Sequence, residues 1–218
     1  MIKKINLFCL FAVALLICGC VKKTPQAPSS QTNVNNESKQ KENENVSNEN
    51  KKVKIQTNMG DIVIELNAEK APFAVKNFLS YVENGFYNGT IFHRVVNSPT
   101  LHVIQAGGFD VNMNSQKTNP PIKNEASNGL KNDRGTIAMG QTPRNPDSAT
   151  SHFYINHKDN PGLDYTGISN PGYTVFGKVI EGMDVVDKIA SVKTTVRNGM
   201  SDVPVELVMI NSATVVSQ

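Results

Sequence analysis

The stretch "TIFHRVVNSPTLHVIQAGGFD" runs from Thr90 to Asp110. Ile91, Phe92, Val95 and Val96 give its first part the texture of a buried strand. His93 and Arg94 stand inside that run, and Val103-Ile104 leads into Gln105. A guanidinium is always charged, and a buried charge is costly unless it is paired or used. The strand is therefore a wall around a functional cation, or it holds a structural ion pair.

The same texture extends in both directions. "VKIQTNMGDIVIEL", from Val53 to Leu66, alternates apolar and polar residues around Asn58-Met59-Gly60, the pattern of two strands joined by a turn. Next, Phe73, Val75, Phe78, Leu79 and Val82 recur at helical spacing. Pro72 suits a first helical position, and Gly85 suits a stop. Short strand-like runs follow at Thr90–Val96, His102–Gly107, Gly135–Gly140, His152–Asn156 and Tyr173–Ile180. A second helix is expected over Met183–Ser191, and a long strand-rich run over Val203–Val216. Many short strands and two helices predict a mainly β fold, a closed β-barrel capped by two α-helices.

Before Val53 the chain is different. "MIKKINLFCLFAVALLICGC" has a basic start and an apolar run from Ile5 to Ile17. That run suits an export signal and is short for a membrane span, which needs ~20 residues. "ICGC", Ile17 to Cys20, resembles a bacterial lipobox. The resemblance implies a lipoprotein signal peptide over 1–19 and lipid on Cys20. Several acyl chains there would hold the chain at a membrane, each buried CH₂ contributing ~0.8 kcal/mol. The expected location is the bacterial cell envelope. Residues 21–52 contain no Leu, Ile or aromatic residue and cannot bury enough apolar surface to offset ordering. Residues 20–52 thus read as the lipidated cysteine and a tether spanning roughly 30 Å. The folded domain occupies 53–218, with fourteen Lys+Arg against fifteen Asp+Glu, so nucleic-acid binding has no support. All three cysteines, Cys9, Cys18 and Cys20, precede it, which excludes disulfides and cysteine-bound metals within it.

Three blocks, in order, resemble the cyclophilins, the barrel-fold peptidyl-prolyl cis–trans isomerases. They are "FHRV" with "VIQAGGF" (Phe92–Phe109), "RGTIAMG…DSATSHFYIN" (Arg134–Asn156) and "GYTVFGKVIEGMDVVDKI" (Gly172–Ile189). "NPPIKNEASNGLKN" between the first two is similar to the bacterial envelope branch. The resemblance covers nearly all of 53–218. It implies an eight-stranded antiparallel barrel, a monomer without cofactor or metal, and proline-containing polypeptides as substrates.

The implied reaction is rotation about a prolyl amide, whose barrier of ~18–20 kcal/mol comes from C–N resonance. Ordinary enzyme rates need that barrier lowered by roughly 4–7 kcal/mol. A guanidinium donating to the prolyl nitrogen favours the twisted state, in which that nitrogen regains its lone pair. By position the family's catalytic arginine falls on Arg94, and the glutamine that holds substrate backbone falls on Gln105. The resemblance places Val103, Met139, Tyr154 and Leu163 at the walls of the proline pocket. It puts Tyr173 at the rim and Gly140-Gln141 along the substrate main chain.

The chain departs from the family at three places. "NSPTL" lengthens the connection after the HRV block by about three residues, which puts His102 where a pocket phenylalanine is expected. His152 replaces a glutamine, and Gly162 replaces an aromatic residue. With no tryptophan in the chain, weak cyclosporin inhibition is expected. These positions also keep open a rival reading, a membrane-anchored module or chaperone that binds proline peptides with weak or no turnover. The four histidines, His93, His102, His152 and His157, show no metal-binding spacing. No G-x-S-x-G elbow points to a hydrolase.

Overall fold

A computed structural model describes residues 51–216. The export segment, Cys20 and nearly all of the tether lie outside them. The first hairpin forms as expected. Strand β1 (Lys52–Thr57) turns at Asn58-Met59 into β2 (Gly60–Leu66), with Lys52 opposite Glu65 and Thr57 opposite Gly60. Helix α1 (Pro72–Glu83) starts on the proline and buries Ala74, Val75, Phe78, Leu79 and Val82. Its first turn finds a partner far away in sequence. The backbone N–H groups of Phe73 and Ala74 donate to the two carboxylate oxygens of Glu125, at 3.0 and 2.9 Å. An anion suits that end of a helix.

The stretch Thr90–Val96 is not one strand. It divides into β3 (Thr90–Ile91) and β4 (Arg94–Asn97), with Phe92-His93 between them. Then come β5 (His102–Ala106), β6 (Thr136–Met139), β7 (Phe153–Asn156) and β8 (Val175–Glu181). Helix α2 (Met183–Ala190) follows Gly182, whose φ is +86° and where a Cβ would sit 2.2 Å from the Asp61 carbonyl oxygen. Only glycine fits that position. The expected run Val203–Val216 also divides. A hairpin of β9 (Thr194–Arg197) and β10 (Met200–Pro204) precedes the long β11 (Met209–Val216). The hairpin begins before that run, and the sequence reading missed β9.

The expectation of a closed eight-stranded barrel is corrected. Among the described residues the main sheet has nine strands in the order β3-β11-β1-β2-β8-β6-β7-β5-β4, and it curls into a half-barrel. Its two edges, β3 and β4, do not pair with each other. They are consecutive in the chain, so Phe92-His93 crosses the gap that a ladder would have closed. The Phe92 N–H instead donates to the Val208 carbonyl at 2.8 Å. The β9–β10 hairpin forms its own two-stranded sheet, and β10 lies beside β4.

Two apolar clusters occupy opposite faces of the β4–β5–β7–β6 part of the sheet. The main core contains Phe78, Tyr87, Phe153 and Phe176, with Val95, Ile104 and Ile155 from the sheet. Phe78 packs on Tyr87, Phe153 and Phe176 at centroid distances of 5.2–5.4 Å. Each such side chain contributes roughly 1.5–3 kcal/mol through burial. The smaller cluster is Val96, Val103, Ala138, Tyr154 and Val175. Its place on the face opposite the main core sets where the site lies.

Candidate active site

In an antiparallel sheet, directly opposed residues point to the same face. Arg94 opposes Gln105, Gln105 opposes Tyr154, and Tyr154 opposes Ala138. One row therefore carries a guanidinium, an amide and a phenol ring across four strands. Two residues along, Val96 opposes Val103. This places the Arg94 row at the border of the smaller apolar cluster. Leu101, Leu130, Leu163 and Tyr173 pack around that cluster from the loops. The Tyr173 ring stands edge-on to Tyr154 at 5.9 Å, and its N–H donates to the Leu163 carbonyl at 3.0 Å.

Most of the residues singled out in the sequence meet here. Gly140 lies beside Gln105: a Cβ at Gly140 would be 3.4 Å from Gln105 Nε2 and 3.0 Å from the His152 Cβ. Gln141 reaches the rim through its side chain. Its Nε2 donates to the Gly172 carbonyl at 3.1 Å, and its Oε1 accepts from Asn124 Nδ2 at 3.0 Å. Asn124 donates to the same carbonyl, so Gly172, next to Tyr173, is held from two sides.

Two of the expected pocket residues lie elsewhere. Met139 opposes Phe153, so the alternation turns it into the main core, where it is 1% exposed. His102 is the first residue of β5 and lies opposite Asn97 rather than over the cluster. Its Nδ1 is 3.2 Å from Asn97 Oδ1, and its ring meets His157 at 5.5 Å. The longer connection explains the swap. Ser98 to Leu101 form a turn closed by Ser98 N–H to the Leu101 carbonyl at 3.0 Å, and Leu101 packs against the cluster. Leu101, one position before His102, is the residue of this connection that packs on the cluster.

Several features escaped the sequence reading. The Tyr154 hydroxyl donates to Asn132 Oδ1 at 2.8 Å, and burial holds its pKa well above the usual phenol range. Asn132 in turn donates to Asp164 through its backbone N–H, at 2.8 Å, and its side chain, at 3.1 Å. Asn156 and Asn160 continue this buried network. A tyrosine in an apolar strand requires such a partner, so "FYIN" carried the signal. Behind Arg94, His93 is 2% exposed, with its ring at 4.8 Å from Phe109 and 5.1 Å from His152. Its Nδ1 has no hydrogen-bond partner among the described residues. Burial first, then the charges of His152 and Arg94, lower its pKa to about 3. Burial also lowers the pKa of His152. The His93 ring is therefore neutral at neutral pH.

The chain matches known proteins over the same span. The family model described as "Cyclophilin type peptidyl-prolyl cis-trans isomerase/CLD" matches residues 52–215. A peptidyl-prolyl cis-trans isomerase of Acinetobacter baylyi is 56% identical over 165 residues, covering 76% of this chain and 85% of the relative. Peptidyl-prolyl cis-trans isomerase B of Escherichia coli is 54% identical over 166 residues, covering 75% and 98%. Among solved structures, a cyclophilin type isomerase of Cryptosporidium parvum superposes with a TM-score of 0.63 at 26% identity. That superposition covers 78% of this chain and 99% of the other. A second structure of the same protein, in the presence of the dipeptide Ala-Pro, gives 0.62 at 27% identity, covering 77% and 99%. A half-barrel fold, three collinear sequence blocks and relatives at this level of identity agree: the chain belongs to the cyclophilin-type peptidyl-prolyl cis-trans isomerases.

Proposed function

We propose that this isomerase turns X-Pro bonds by donating a hydrogen bond from Arg94 to the prolyl nitrogen. The proline ring rests on Val96, Leu101, Val103, Tyr154 and Leu163. Gln105 and Gly140 hold the neighbouring main chain. The observation that carries this reading is the single row Arg94–Gln105–Tyr154, running into an apolar cluster on one sheet face. The cluster desolvates the ring while the guanidinium meets the nitrogen as its lone pair appears. The Ala-Pro dipeptide named for the Cryptosporidium protein fits a ligand of this class. Exchange NMR on an Ala-Pro peptide tests it. Arg94→Ala should slow the catalysed exchange by about 100-fold and leave binding in place. An unchanged exchange rate would overturn it.

Gly162 marks a gap in the wall. A Cβ there meets nothing within 4 Å, while the next residue, Leu163, packs on the cluster. Gly162→Phe should cover the proline and tighten peptide binding by about 1 kcal/mol, roughly fivefold. Titration of the same peptide reads this directly, and an unchanged Kd would place the residue outside the pocket.

We further propose that the enzyme acts in the bacterial cell envelope, anchored by lipid on Cys20 and reaching folding chains through the tether. The lipobox-like "ICGC" after an apolar run supports this. Mass spectrometry of the mature N-terminus should find residues 1–19 removed and acyl chains on Cys20. An unmodified Cys20 would refute the anchor and leave the isomerase reading intact.

A further inference from the structure

The guanidinium of Arg94 has a neighbour that catalysis as described leaves unused. Arg94 Nε lies 3.5 Å from Asp202 Oδ2, and the two side chains are 35% and 38% exposed. Among the described residues, Asp202 supplies the one carboxylate within 4 Å of that guanidinium. An exposed ion pair of this kind adds little to stability. The backbone that presents the carboxylate is itself unfavourable. Asp202 has a φ of +64°, in the left-handed region where residues other than glycine are uncommon. It lies within a register shift of β10 against β9, between Met200 and Val203. Such bulges re-aim side chains, and backbone strain clusters at functional sites. β10 lies beside β4, the strand that Arg94 begins.

We propose that Asp202 is a positioning residue for the isomerase reaction, holding Arg94 in the orientation that meets the prolyl nitrogen. This rests on the reading of Arg94 as the donor to that nitrogen. A carboxylate on the Nε side leaves both terminal amino groups of the guanidinium free for substrate. An arginine side chain is long and has many rotamers, so holding it in advance removes an ordering cost from the reaction. The benefit falls on the twisted state, in which the nitrogen becomes an acceptor. Asp202 should therefore act on turnover and not on peptide affinity.

The left-handed backbone supplies a clean test. Glycine prefers that conformation and asparagine tolerates it, so Asp202→Gly and Asp202→Asn should keep or raise Tm. In the full-length protein, both should lower the isomerisation rate by about tenfold while the peptide Kd stays within about twofold. Asp202→Glu should restore part of the loss. In an Arg94→Ala background, Asp202→Gly should change the rate by less than about twofold, because the group it positions is gone. The proposal is overturned if Asp202→Gly turns over like wild type, if its loss is the same in both backgrounds, or if activity falls only in step with Tm. If Arg94→Ala itself has no effect, the Arg94 reading fails and this one with it. If only the Asp202 arms fail, the Arg94 reading stands.

Discussion

Arg94→Ala should lower kcat/KM for a prolyl peptide by about 100-fold, with KM nearly unchanged. One charge-assisted hydrogen bond contributes about 1.5–3 kcal/mol, or roughly 10- to 150-fold. A preorganised donor at a site of developing charge is worth the upper part of that range. Binding should survive, because Gln105, Gly140 and the Val96–Val103–Tyr154 face do not depend on the guanidinium. Arg94→Lys should recover little, since an ammonium lacks the planar fork. Stability should hardly move, because the side chain is 35% exposed and its ion pair lies at the surface. Exchange NMR gives turnover and thermal unfolding gives stability on the same samples. A rate for Arg94→Ala within about threefold of wild type would mean that rotation is driven by the pocket walls alone.

Acidification should destabilise the fold well above the range in which carboxylates titrate. His93 has a pKa near 3 in the folded chain, against an ordinary value of 6.5. The unfolded chain therefore takes up a proton below 6.5 that the folded chain refuses. Stability is fully present above pH 6.5 and is lost progressively as pH falls toward 3, by roughly 4–5 kcal/mol in all. For a domain with about 5–15 kcal/mol to lose, that is a large fraction. Burial lowers the pKa values of His152 and His157 as well, so their contributions have the same sign. Asp187, held low by its hydrogen bond from Arg134, acts only in the more acidic part of the range. Denaturant unfolding at pH 7 and pH 5 isolates the histidines, with about 2 kcal/mol expected from His93 alone. His93→Phe should remove about 2 kcal/mol of the difference between those two points and leave what His152 and His157 contribute. A wild-type difference below about 0.5 kcal/mol would show that the ring is hydrated in the folded state.

The sequence reading succeeded where chemistry and local pattern coincide. The hairpin at Asn58-Met59-Gly60 and the helix starting at Pro72 both follow from alternation and turn residues. It failed where the answer depends on which strand lies opposite. Met139 belongs to the same motif as Gly140, yet its partner Phe153 sends it to the core. His102 was given a role from its place in the motif, yet it lies opposite Asn97 while Leu101 packs on the smaller cluster. Asp202 carried no signal at all, because nothing in "GMSDVP" says that β10 runs beside β4. The closed barrel failed for a related reason: apolar periodicity reports strands, and closure is decided by whether the last edge finds the first.

That open seam bears on self-association. Unpaired strand edges template pairing with other molecules, and proteins usually blunt them with short strands, charges or cover. Here the two edges are neighbours along the chain. One is the two-residue β3, and the other is flanked by β10 and begins with a charged residue. The half-barrel thus gives up the closing ladder while offering little free edge on which an intermolecular sheet could grow.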